Sequence, residues 1–269
     1  MIKNKAFITL VLAGSLFSMN SCKRDFTLKS STQSTDGTAL LKIINASPNF
    51  RSIYNAPDSF NVFVNGTKVT GFTPGGSGNY ILTYGAQFPT VSSGYGYISV
   101  PPGTDDIKLT LGGIINADSI PVATFTKTLL PNASYSFIIT DSIKSPRDSS
   151  QIFVQDVFTQ PNPGFYNLRI IHAVLNDTAG KLIDIWSTRT NRNLAINLKP
   201  GAVTAFAQLP YNQLLTDTFY VRRSGTAINL AFLNSASFSN GRTYTLLYRG
   251  DGNLSTGTKA KGLVTYVHQ

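Results

Sequence analysis

Few side chains in this sequence could carry reaction chemistry. All 13 acidic residues are aspartate, there are two histidines, His172 and His268, and the only cysteine is Cys22. A nucleophilic triad needs a histidine that takes the proton of a positioned serine while a carboxylate orients the ring. No G-x-S-x-G surrounds any serine. His172 closes a strand at a place where an earlier, related strand has Asn45, which points to a side chain that hydrogen-bonds the following loop. His268 is expected to face solvent. Asp105 and Asp106 are neighbours, so on a strand they point to opposite faces and cannot together flank a glycosidic bond; they read as turn residues ahead of a strand at Ile107. Asp251-Gly252-Asn253-Leu254-Ser255 alternates oxygens as a calcium loop does but lacks the later glycine and bidentate glutamate, and it reads as a turn. No glycine-rich phosphate cradle opens a helix. A single cysteine excludes an intramolecular disulfide and a zinc site of several thiolates. The expectation is no metal, no cofactor and no catalytic residue, hence no enzyme.

Aromatic residues offer binding chemistry instead. Tyr80, Tyr84, Tyr95 and Tyr97 lie beside glycines in the stretch from Gly75 to Tyr97. Tyrosines on a rigid sheet can stack on sugar rings or anchor a protein partner. Equally, one face of each strand can be packed while the other merely covers the sheet. Trp186, next to Ile185, carries the same two readings, and these five residues are the candidate ligand contacts. Basic residues are unevenly placed, with 11 Lys or Arg against 4 Asp from Phe165 onward. They are scattered singly there apart from Arg222-Arg223, which reads as a solvated basic surface and not as a nucleic-acid site.

The elements that position these residues begin with an address. Residues 1–21 have Lys3 and Lys5, an apolar run from Ala6 to Gly14, and small or polar residues up to Cys22, the three regions of a secretory signal peptide. The run is too short to span a bilayer with ease. Ending at the sole cysteine, it resembles a bacterial lipoprotein signal of the looser kind found in Bacteroidota, with Met19-Asn20-Ser21-Cys22 departing from the commonest pattern at two positions. The resemblance implies that Cys22 is lipidated and that the membrane is a partner, held by acyl chains at ~0.8 kcal/mol per buried methylene. Lys23 after the cysteine implies an outer-membrane lipoprotein, periplasmic or surface-facing. Residues 22–38 are rich in Ser, Thr and Lys and read as a flexible tether. Asp118-Ser119-Ile120, Asp141-Ser142-Ile143 and Asp177-Thr178-Ala179 resemble the O-glycan acceptor of exported Bacteroidota proteins, which implies Ser119, Ser142 and Thr178 as candidate O-glycan sites.

Without glutamate, and with many Ser and Thr, 22 Gly and 13 Pro, the chain lacks the residues helices favour. Short apolar runs alternate with turn signals, the pattern of an all-β sandwich protein. The chain also repeats itself. Leu41-Lys42-Ile43-Ile44-Asn45-Ala46 returns as Leu168-Arg169-Ile170-Ile171-His172-Ala173, Phe60-Asn61-Val62-Phe63 returns as Ile183-Asp184-Ile185-Trp186, and the closing strands after Asn132 and Asn240 match too. A period of this length means two copies of a small domain of roughly 110 residues each. The expectation is two tandem Ig-like, antiparallel β-sandwich domains, at 39–160 and 165–269. Between them 161–164, Pro161-Asn162-Pro163-Gly164, acts as a linker.

Those opening, middle and closing motifs resemble the domain of unknown function 4397, which often comes in tandem in Bacteroidota lipoproteins. The resemblance spans nearly all of Ala39 to His268. It implies the fold but no activity, and the first copy departs from it by a longer insertion, from Thr70 to Gly94. The resulting expectation is a lipid-anchored cell-envelope protein acting as a binding or structural module, with a glycan or another envelope protein as partner. A glycan-directed hydrolase and a passive envelope spacer are the competing readings.

Overall fold

The computed structural model describes residues 37–49, 59–70, 82–89, 96–111, 121–140, 151–177 and 181–268. The expected signal peptide, Cys22 and nearly all of the expected tether lie outside these residues, as do most of the expected insertion and Ser119, Ser142 and Thr178. Among the described residues no helix is long and apolar enough to cross a membrane.

The chain is all-β, and its four sheets form two sandwich-like bodies, as the alternation of apolar runs and turns predicts. In the first body the strands are β1 (Ala39–Asn45), β2 (Ser59–Val64), β3 (Thr67–Lys68), β4 (Leu82–Thr83), β5 (Gln87–Phe88), β6 (Ile98–Val100), β7 (Gly103–Leu111), β8 (Pro121–Leu129), β9 (Ser134–Ile139) and β10 (Ile152–Gln155). One sheet runs β10-β9-β1-β5, with β6 also paired to β1, and the other runs β3-β2-β7-β8, with β4 on β2. In the second body they are β11 (Phe165–His172), β12 (Ile183–Ser187), β13 (Arg192–Leu198), β14 (Ala207–Pro210), β15 (Asp217–Arg223), β16 (Asn229–Ala236), β17 (Thr243–Arg249) and β18 (Gly262–Val267). Its sheets are β14-β11-β17-β18 and β13-β12-β15-β16. Pairing is antiparallel except that each opening strand runs parallel to its copy's penultimate one, β1 with β9 and β11 with β17. Asp105 and Asp106 sit inside β7, which starts at Gly103, and not in a turn ahead of it.

Each body has its own core. Leu41 and Ile43 of β1 and Phe137 of β9 meet Phe60 and Val62 of β2, Ile107 and Leu109 of β7 and Phe125 of β8. In the second body Leu168, Ile170 and Leu246 meet Ile183, Ile185, Phe219 and Val221. A half-exposed strand would need only these alternate positions to be apolar. The opening strands are apolar on both faces because both faces are buried. Ile44, Ala46, Ile138 and Ile152 of the first body pack with Ile171, Ala173, Leu247 and Tyr266 of the second, forming a third apolar cluster between the two inner sheets. Continuous apolar runs are the signature of strands covered on both sides.

Residues 35–269 therefore form one compact unit, and the Pro/Gly segment links bodies that share a buried joint. The joint has an internal two-fold likeness, since Ile44 and Ile171, and likewise Ile138 and Leu247, occupy matching positions of the two copies. It is built as a symmetric dimer interface is, with the same patch used on both sides.

Cutting the chain after Gly164 would bare Ile44, Ala46, Ile138 and Ile152 together. The isolated first half is expected to self-associate or bind a hydrophobic dye, as read by sedimentation velocity and dye fluorescence. A monomeric, dye-silent half melting at the full-length midpoint would contradict the shared joint. Within the intact chain, Ile171→Ala should cost about 2–5 kcal/mol, measured by denaturant unfolding.

Candidate functional site

Lys42 and Arg169 stand at the same position of the two opening strands, each between apolar neighbours and each aimed into the joint. Lys42 lies beside Ser136 in the sheet and Arg169 beside Thr245. The residue after each closing strand makes the same backbone bond: Asp156 N donates to Ser134 O, and His268 N donates to Thr243 O. Asp156 and His268 are thus a matched pair as well. All six side chains are buried.

Their hydrogen bonds close on themselves. Arg169 Nη1 donates to Asp156 Oδ1 at 2.6 Å, and Ser136 Oγ and the Tyr97 hydroxyl both donate to Oδ2 at 2.7 Å. Tyr97 has one proton, spent on the carboxylate, so its 2.5 Å contact with His268 Nδ1 requires that nitrogen to carry a hydrogen. Nε2 of His268 is then the acceptor for Thr245 Oγ1 at 2.7 Å, and Thr245 Oγ1 accepts from Arg169 Nε at 3.2 Å. His268 is a neutral, Nδ1-protonated ring with Phe158 and Phe206 against it. Lys42 Nζ donates to Val267 O and lies 4.8 Å from the Tyr97 ring centre. Gly96 lets this happen, because a Cβ there would come within 2.9 Å of Lys42 Nζ.

Burial, then the charges of Lys42 and Arg169, hold the His268 pKa well below its ordinary value. Burial lowers Lys42 to about 7 against the pull of Asp156. Burial, with the charge and the hydrogen bond of Asp156, raises Tyr97 well above 10.0. These perturbed groups are packed in a joint and find their partners inside it, neighbouring side chains for His268 and Tyr97 and the Val267 carbonyl for Lys42, which suits a clamp.

Two expectations are corrected here. Tyr97, taken as a candidate ligand contact, is only 7% exposed because its hydroxyl is bonded in the joint. His268, expected in solvent, is 2% exposed for the same reason. Tyr84 is also a joint residue: Arg249 of the second body stacks on its ring at 4.6 Å. Tyr80 and Tyr95 lie outside the described residues. His172 is buried against Tyr248 at 5.1 Å, while Asn45 does cap its loop, accepting from Ser47 N at 3.1 Å. Asp177, which precedes Thr178, is buried and accepts from the Tyr248 hydroxyl at 2.8 Å and from Lys261 at 3.3 Å.

Trp186 is placed differently. Along β12 the inward residues Ile183, Ile185 and Ser187 are fully buried, and Trp186 points to the outer face. Register sets Asn193 of β13, Trp186 of β12, Tyr220 of β15 and Phe232 of β16 side by side across four strands. Phe232 is 57% exposed. The Tyr220 and Phe232 rings are 6.2 Å apart, and the Arg222 guanidinium lies 4.3 Å from the Trp186 ring centre and 5.8 Å from that of Tyr220. Arg222 is steered there by Nε, which donates to Asn229 Oδ1 at 3.2 Å.

Beside this row, at the end of the same strands, opens a cleft of about 740 Å³ lined by Lys181, Asp184, Ile196, Asn197, Arg223 and Ser224 among others. Asp184 organises it. Burial alone would push its carboxyl up, but bonds from Asn197 N at 2.9 Å, Ser224 Oγ at 2.7 Å and Gly225 N at 3.1 Å hold it below the usual carboxylate range. The first bond is reached by an irregularity in the β12–β13 pairing and by Asn197 at φ 55°. Among the described residues, neither Lys181, Arg222 nor Arg223 forms an ion pair, and no cluster of three His, Cys, Asp or Glu could hold a metal.

No family model matches the chain, and no curated protein does. Among solved structures it shows a distant similarity to the Bacillus anthracis TIE protein, at 14% identity and a TM-score of 0.21, over 80% of this chain and 34% of that one. The chain thus spans about a third of the TIE protein's length. A candidate adhesin from Bacteroides ovatus matches at 9% identity and a TM-score of 0.19, over 84% of this chain and 95% of that one.

The joint makes two predictions. Asp156→Ala leaves Arg169 buried without its counter-ion and should cost about 3–5 kcal/mol of stability by denaturant unfolding. Stability should also rise with pH over most of the range. The unfolded chain protonates His268 below 6.5 and Lys42 below 10.5, while the folded chain resists until well below 6.5 and about 7 respectively, so acidification favours unfolding in both windows. Above 10.0 the trend reverses, since the unfolded chain ionises tyrosines that Tyr97, Tyr166 and Tyr248 keep neutral in the fold. Melting midpoints across pH should show this dome, and Lys42→Met should flatten its rise between 7 and 10.5.

Proposed function

We propose that the protein is a lipid-anchored module of the bacterial cell envelope that works by binding, with the outer face of β13-β12-β15-β16 as its contact surface. The observation that supports this most is the row Trp186, Tyr220 and Phe232 with Arg222 laid against it. Aromatic residues and arginine are the side chains that dominate recognition surfaces. A folded chain gains nothing by leaving Phe232 largely in water, whereas a partner would cover it.

The hydrolase reading has less support. An enzyme gathers convergent titratable groups in a pocket. The cleft beside the row holds one carboxylate, Asp184, whose hydrogen bonds are spent on the backbone and Ser224. A passive spacer would need no aromatic row. The same proposal takes 39–160 and 165–269 as tandem copies of the domain of unknown function 4397, on the matched motifs L-[KR]-I-I-[NH]-A and their closing strands. It places the protein at the outer membrane through Cys22, with a glycan or another envelope protein as partner.

Two measurements test it on cells. Cys22→Ala should move the protein from the membrane to the soluble fraction, and unchanged fractionation would remove the anchor. A photo-crosslinking residue at 232 should capture envelope material, while one at Thr124, exposed on the first body's outer sheet, should not. Equal capture at both positions would remove the face.

A further inference from the structure

We infer that the outer face of the second body takes an acidic polysaccharide, its sugar rings on the aromatic row and its carboxylates at Arg222 and the cationic cleft. This rests on the reading of that face as the contact surface and names its ligand class. Three features carry it.

The first is shape. Adjacent strands stand ~4.8 Å apart, so Trp186, Tyr220 and Phe232 make a narrow line about two strand spacings long across an open sheet. A line of rings fits an extended chain of rings. It is too small to be the core of a stable protein interface, which covers about 800 Å² on each partner. The second is the setting of the row. Asn193 and Asn229 are exposed beside it and Thr218 partly so, giving short amides and a hydroxyl that can exchange hydrogen bonds with sugar hydroxyls.

The third is charge. Arg222 fixes its Nε on Asn229, and its Nη groups find no acceptor among the described residues, which leaves a planar donor pair for a carboxylate. Lys181 and Arg223 line the cleft at the end of the same strands. The one carboxylate among the described lining residues, Asp184, is kept ionised by three hydrogen bonds from neutral donors and forms no ion pair, so Lys181, Arg223 and the adjacent Arg222 are three cations against one anion. An anionic ligand is the complement.

The test uses the full-length protein in detergent and affinity electrophoresis through four gels: polygalacturonate, its fully methyl-esterified form, polyglutamate, and a neutral cellulose ether. Retardation is expected in polygalacturonate alone. Arg222→Gln and Phe232→Ala should each weaken it about tenfold while the melting midpoint stays within the wild-type range, since both side chains lie on the outer face. Equal retardation by polyglutamate would overturn the polysaccharide, because charge without sugar rings would suffice. Retardation by the esterified or neutral chains that Phe232→Ala abolishes would overturn the acidic ligand and keep the contact surface. Retardation by polygalacturonate that neither variant changes would overturn both. Absence of retardation in polygalacturonate would overturn the ligand class, with the crosslink at 232 then deciding the surface separately.

Discussion

The Asp156 carboxylate is the group on which the rest of the structure depends. It takes three hydrogen bonds, from Arg169 of the second body and from Ser136 and Tyr97 of the first, in a place water does not reach. A buried ion pair is not by itself a source of stability, since desolvation offsets much of the attraction. Its effect here is specificity. Of the cations at the joint, Arg169 has the carboxylate within ion-pair distance at 2.6 Å, while Lys42 is left with a carbonyl and an aromatic face. One arrangement of the two bodies gives Asp156 its counter-ion, and any slip or rotation takes Arg169 away from it.

The cluster joins matching positions of the two bodies. Lys42 matches Arg169, Ser136 matches Thr245, and Asp156 matches His268, so the joint has a two-fold frame whose halves carry different side chains. With identical halves, like charges would face each other across the axis. The difference removes that conflict: one closing strand is followed by an anion, the other by a neutral ring. The His268 tautomer follows from this arrangement, because Thr245 needs an acceptor and Tyr97 needs a donor. A second proton on the ring would turn Nε2 into a donor and leave the Thr245 hydroxyl without an acceptor, which ties the joint's integrity to pH.

The sandwiches were legible in the sequence and the joint was not. Short apolar runs such as Phe60-Asn61-Val62-Phe63 between turn signals announce strands, and the matched opening strands announce two bodies. Leu-Lys-Ile-Ile and Leu-Arg-Ile-Ile held a further message. A continuous apolar run is a strand covered on both sides, and a cation recurring inside it at the same place must meet a partner there. The equivalence of Asp156 and His268 was out of reach, because only the pairing of the closing strands, Ile152 with Ile138 and Val264 with Leu247, brings the two into the same place. The aromatic row was beyond reach, because Trp186, Tyr220 and Phe232 come from three strands brought into line only by register. The four tyrosines between Gly75 and Tyr97 looked the richer signal, yet Tyr84 and Tyr97 serve the joint, since a gap between two sheets accepts flat rings as readily as a ligand does.

What the joint consumes determines what remains for function. Both inner sheets are covered, so of the sheet faces among the described residues the two outer ones remain, and the repeat allows a position-by-position comparison of them. Where the second body has Trp186 beside Tyr220, the first has Phe63 beside Lys108. Phe63 is 3% exposed, flanked by Lys68 on β3, with Lys108 Nζ 5.5 Å above its ring. The lysine stem covers the aromatic ring and puts a charge in its place, the usual way a surface hides an apolar group. In the second body that lysine is replaced by Tyr220 and its neighbour Thr124 by Phe232, so the charge over the first ring comes instead from Arg222, and Phe232 is left 57% exposed at the end of the row. The same scaffold position thus ends on a hydroxyl side chain in one copy and on an exposed ring in the other.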